Sequence, residues 1–143
     1  MKKTVLAALA AAGLTAAAPA EETPDLVTIL TAPEPQTQLM SMVLTMQSIQ
    51  QGASAYMLLC GPAGDLGLAE APESATAPQA PKGMSPQGLM QKIMEAGGTV
   101  EVCAIYLPNK GVGPDALLEG VGRAKPPAMA ARLLAPGARL MSF

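Results

Sequence analysis

Histidine and tryptophan are absent from this 143-residue chain, and its only aromatic side chains are Tyr56, Tyr106 and Phe143. Without histidine there can be no Ser-His-Asp or Cys-His nucleophile and no His-ligated zinc site. Charge is also sparse, at nine basic and eleven acidic residues. Setting aside Lys2 and Lys3 leaves seven basic residues against eleven acidic ones, a formal charge of −4. With no basic cluster and almost no rings for base stacking, nucleic acid is not an expected partner. Cys60 and Cys103 are the only cysteines, too few for a thiolate metal cage or a dense disulfide framework. Neither a metal nor an organic cofactor is expected.

One long apolar run is present, from Val5 to Ala18 in "MKKTVLAALAAAGLTAAAPA". It follows two lysines, is too short to cross a bilayer, and ends in the small-residue pattern Ala18-Pro19-Ala20. Residues 1–20 therefore read as a secretory leader cut after Ala20. The expectation is an exported, periplasmic chain with no membrane attachment after cleavage. Glu21–Phe143 is a length that suits one domain around one core.

Strand-like and helix-like segments then alternate. "LVTIL" (Leu26–Leu30) is apolar and β-branched, and Pro33 and Pro35 follow it. In "QTQLMSMVLTMQSIQQG" the residues Leu39, Met42, Val43, Met46 and Ile49 share one helical face, and Gly52 marks the stop. "ASAYMLLC" (Ala53–Cys60) reads as a second buried strand ended by Gly61-Pro62. Pro62 to Gly83 lacks any period, and four prolines argue against helix or strand, so a long mobile loop is expected there. Ser85-Pro86 has the chemistry of a helix start, with Leu89, Met90, Ile93 and Met94 as the apolar face and Gly97-Gly98 as the end. "TVEVCAIYL" (Thr99–Leu107) reads as a third strand, and Pro114-Asp115 as the start of a short helix through Leu118. A brief fourth strand is expected near Val121–Arg123, a helix from Pro126 to about Ala135, and a terminal strand over Arg139–Phe143. Apolar strands alternating with helices imply a mainly parallel five-stranded sheet covered on both faces. In such sheets chemistry collects beyond the carboxyl ends of the strands, here at Gly61–Gly67 and Pro108–Gly113.

Cys103 lies close to that edge, and Cys60 ends its own strand. A cysteine in an apolar strand is more often inert packing than a nucleophile. Reactivity needs a lowered thiol pKa, for which Lys110 and the amides at Gly113-Pro114 are the available sources. In an exported protein the two cysteines could also form a structural or redox-active bridge, if their strands are neighbours. Met40, Met42 and Met46, with Met90 and Met94, offer soft thioethers for Cu(I), although most fall on helix faces that should meet the sheet. Gly111-Val112-Gly113 and Gly120-Val121-Gly122 lack phosphate-loop spacing and read as turns. Asp65, Glu70 and Glu73 have no partner signal and read as solvated. Asp115 and Glu119 lack the third ligand a metal would need.

Three passages resemble the DsrE/DsrF-like family, which includes the Tus and Dsr sulfur-relay subunits. In "VEVCAIYLPNKGV" a cysteine is followed eight residues later by a turn glycine, here Cys103 and Gly111. "LLEGVGRAKPPAMAARLLAPGARLMSF" is similar to the family's closing helix, short strand, helix and strand. "LTMQSIQQGASAYMLLCGPAG" is similar to its first helix and second strand. The resemblance covers most of Glu21–Phe143 and is strongest from Met84 onward. It implies a three-layer α/β/α fold, assembly as a trimer or hexamer, and a Cys103 that accepts sulfane sulfur as a persulfide and hands it on. The sequence-based reading is therefore a persulfide carrier or thiol-redox protein acting through Cys103, with an unnamed sulfur donor and acceptor. Lys110 would stabilise the thiolate, Cys60 would be a redox partner, and the Pro62–Gly83 loop would gate the site. The alternatives are a non-catalytic assembly module with a structural Cys103, and a periplasmic Cu(I) binder.

Overall fold

The computed structural model describes residues 24–143, so the expected leader lies outside the described residues. β-branched and apolar side chains draw Asp25–Leu30 into the first strand (β1), with Val27, Thr28 and Leu30 fully buried. Pro35 takes the first turn of α1 (Pro35–Gln50), where a missing amide costs nothing. β2 (Ser54–Leu59) is buried over its last five residues. α2 is one turn, Glu73–Thr76. α3 (Pro86–Glu95) is capped as its sequence requires, with the Gly88 amide donating to Ser85 Oγ at 3.1 Å. The remaining elements are β3 (Thr99–Val102), α4 (Tyr106–Lys110), β4 (Gly122–Arg123), α5 (Pro126–Leu133) and β5 (Ala138–Ser142).

All five strands are parallel, in the order β4-β3-β2-β1-β5. Alternate residues of each strand face opposite layers. Leu30, Met57, Leu59, Val100 and Val102 meet Met42 of α1 and Met90 and Ile93 of α3 in the larger core. On the other face, Val27, Tyr56 and Leu58 meet Ala124 and Met129 in a smaller core beneath α5. The expected α/β architecture, with helices on both faces of a five-stranded sheet, is the one observed. Among the described residues no helix is long and apolar enough to cross a membrane.

Two expectations need correction. The third strand does not run to Leu107. It stops at Val102, and the chain turns at Cys103 into α4, which buries Tyr106 and Leu107 from a helix instead. Pro108 sits inside the first turn of α4, where proline is tolerated, and Gly111 closes the helix with a left-handed φ of 75°.

The Pro62–Gly83 segment is also not free of helix. It holds a 3-10 turn over Gly61–Gly67 as well as α2, and it buries Ala63, Leu66, Leu68 and Ala75. Side-chain and backbone bonds fasten it down. Gln87 Nε2 donates to the carbonyls of Leu66 (3.0 Å) and Leu68 (2.8 Å). The amides of Ala69 and Leu118 donate to the carbonyls of Ala116 and Gly67, so the segment pairs briefly with the chain around Leu117.

Candidate functional site

Strand register brings the two cysteines together. Leu59 of β2 stands opposite Val102 of β3, so the next residue on each strand, Cys60 and Cys103, meet one step beyond the paired region. The ladder continues through both: the Cys60 amide donates to Leu30 O at 2.9 Å and the Cys103 amide to Leu59 O at 2.8 Å. Their Cα atoms are 5.1 Å apart and their sulfurs are joined in a disulfide, a separation such bridges ordinarily span. The pair occupies the carboxyl edge of the sheet, where chemistry was expected to collect. Both residues are half-buried. Cys103 touches the hydrophobic cores on both faces of the sheet, and Cys60 touches the smaller one. After Cys60 the chain turns through Gly61, whose φ of 54° suits glycine.

A polar cluster lies along the same edge. Tyr106 and Lys110 are one helical turn apart on α4 and so reach a single target, the Asp65 carboxylate in the Gly61–Gly67 turn. Tyr106 Oη donates to Asp65 Oδ1 at 2.6 Å, and Lys110 Nζ lies 2.7 Å from the same atom. Asp65 is therefore not simply solvated, as its sequence context suggested. Lys110, expected to act on a thiolate, gives its charge first to this carboxylate. Partial burial pushes the Asp65 carboxyl up, but the hydrogen bonds from Lys110 and Tyr106 outweigh it and hold the group below its ordinary 3.8. Burial, together with the bond to Asp65, raises the Tyr106 phenol, which stays protonated as the donor.

The sign of that shift sets a pH dependence. A carboxyl held below its unfolded value adds stability above that value and loses it as pH falls through the folded one. Wild type is expected to exceed Asp65→Asn by about 1 kcal/mol at neutral pH, since the lysine partner is exposed and screened. Urea melts should show this margin shrinking to nothing as pH drops below 3.8. A margin unchanged at acid pH would show that Asp65 is not held ionised by these partners.

Sequence reasoning missed a second cluster on the α5 face. Arg132 Nη1 is 2.8 Å from Asp25 Oδ2, its guanidinium lies 4.5 Å from the centre of the Tyr56 ring, and Tyr56 Oη donates to Glu101. These residues line an open cavity of about 490 Å³. They lie 107 and 45 residues apart in the chain, and no local pattern links them. Burial and the Glu101 bond raise the Tyr56 phenol.

Of the thioethers considered for copper, Met42 and Met90 are fully buried in the larger core, and Met46 and Met94 pack against it. Met40 is half-exposed, and residues two apart on a helix, as Met40 and Met42 are, face different ways. Among the described residues no group of three or more His, Cys, Asp or Glu could hold a metal.

No protein-family profile and no curated protein matches this sequence. Among solved structures the chain is similar to the ychN protein of E. coli, with a TM-score of 0.66 over 85% of this chain and 99% of that one. The fold is DsrE-like. At 14% identity the likeness concerns architecture alone. It agrees with the α/β fold that the resemblance implied, and leaves the chemistry to this chain's own residues. The DsrE-like sheet here carries its two cysteines on adjacent strand ends.

Proposed function

We propose that this protein handles sulfane sulfur with a dithiol–disulfide pair, Cys103 as acceptor and Cys60 as resolving thiol. The observation that carries the reading is the register of β2 and β3, which sets both half-buried sulfurs side by side at the carboxyl edge. In the reduced protein, the Cys103 thiolate attacks the terminal sulfur of a donor persulfide, expelling the donor thiolate and forming a Cys103 persulfide. The Cys60 thiolate then attacks the inner sulfur of that persulfide and expels hydrosulfide. The two electrons of the dithiol pass to the sulfane sulfur, and the product is the disulfide. Export, inferred from residues 1–20, belongs to the same proposal and would favour the bridged form. So does a homo-oligomer, supported by the exposed apolar side chains of Ile105, Leu134 and Leu140.

The test is to treat the reduced protein with a persulfide donor and follow intact mass and released sulfide. Cys60→Ser should retain one added sulfur atom, wild type should release sulfide and oxidise, and Cys103→Ser should do neither. Equal uptake by Cys103→Ser and wild type would remove the reading.

A purely structural bridge is the second reading, favoured by the contact of Cys103 with both cores. It predicts that each serine variant loses stability and that no sulfur is taken up by any of them.

A further inference from the structure

Cys103 stands in the wall of a cavity that Cys60 does not line. This cavity, about 390 Å³, lies between the carboxyl edge of β2 and β3 and helix α5. Leu58, Ala124, Met129, Ala130 and Leu133 are among its lining residues, and no charged side chain lines it. Its volume falls within the range of small-molecule sites, roughly 300–1,000 Å³. The cavity under Arg132 differs on both counts: it is ringed by Asp25, Glu101 and Arg132, and no cysteine lines it.

From these features we propose that the cavity beside Cys103 selects an uncharged, apolar low-molecular-weight thiol as the redox partner of the bridge. The inference rests on the redox reading of Cys60 and Cys103 and adds the substrate class. Two features fix the occupant. A disulfide-bonded cysteine in the wall calls for a group that can exchange with a disulfide. The uncharged lining would strip water from an ionic substituent without replacing it, so a charged thiol is penalised and an apolar one is not. The thiolate attacks Cys103 Sγ, the Cys60–Cys103 bond breaks, and Cys60 leaves as the thiolate. A second equivalent of thiol attacks the mixed disulfide and frees Cys103. Two thiols become one small disulfide, and the protein gains the two electrons as a dithiol.

The test opens the bridge of the oxidised protein with benzyl mercaptan or glutathione at equal thiolate concentration. Each rate is divided by that thiol's rate on hydroxyethyl disulfide. Wild type should favour benzyl mercaptan by at least about tenfold, the discrimination a seated apolar group provides. Ala130 is exposed on α5 and lines the cavity, so substitution there spares the core. Ala130→Phe fills the space and Ala130→Glu charges it. Both should bring the ratio to within about twofold of unity. A wild-type ratio near one overturns the inference even if both variants fold poorly, and so does a preference that survives both substitutions. If both thiols open the bridge without preference, the substrate class alone falls. If neither opens it, the redox reading falls as well.

Discussion

Reduction of the Cys60–Cys103 bridge is expected to lower the free energy of unfolding by about 4 kcal/mol, the chain-entropy value for a loop of this length. The two cysteines are 43 residues apart in sequence, and the enclosed chain holds the Gly61–Gly67 turn, α2, α3 and β3. Without the bond, the unfolded ensemble regains the freedom of that whole stretch. The loss would be a large share of the 5–15 kcal/mol that typically holds a domain together. Urea unfolding with and without reductant measures it, with the Cys60→Ser/Cys103→Ser double variant as a control insensitive to reductant. A difference well under 1 kcal/mol would show that the bond restrains little, and that the two strands hold their ends equally well without it. The same measurement bears on function, because the dithiol species that receives sulfur is the less stable of the two.

Gly64→Ala should cost about 3 kcal/mol, at the upper end of what overpacking usually imposes. A Cβ at this position would overlap the ring of Tyr106, and that ring has little room to retreat, since Tyr106 is 7% exposed. Moving it would break its bond to Asp65 and strain the amide bond of Tyr106 to the Cys103 carbonyl (2.9 Å). Calorimetric melting of the variant checks the cost. A milder effect, within about 0.5 kcal/mol of wild type, would mean the Gly61–Gly67 turn can shift away from α4 at little expense.

The layered architecture was legible because its elements declare themselves locally. β1 is a β-branched apolar run, and α3 opens on Ser85-Pro86 and closes on Gly97-Gly98. Where the sequence misled, the cause was an apolar stretch serving two elements. Ala104 to Leu107 continues the hydrophobicity of β3, yet belongs to a turn and to α4. The glycine at Gly111, a left-handed helix end, was the available signal. Pro62–Gly83 shows the opposite failure. Its buried side chains, Ala63, Leu66, Leu68 and Ala75, dock one by one onto the core and need no period to do so. The candidate site was half legible. Cys60 was placed at a strand end and Cys103 inside a strand expected to run on to Leu107, but which strand neighbours which, and in what register, is a property of the whole sheet. Asp65 had no visible partner because Tyr106 and Lys110 lie 41 and 45 residues further along.

The pairing of Leu59 with Val102 also makes oxidation a check on folding. A shift of one position between β2 and β3 would turn every side chain of one strand to the opposite layer. The two thiols would then sit on different sides of the sheet, out of each other's reach. Only a correctly aligned molecule can lock itself shut. A misaligned one keeps two free thiols, which sets it apart from its properly built neighbours.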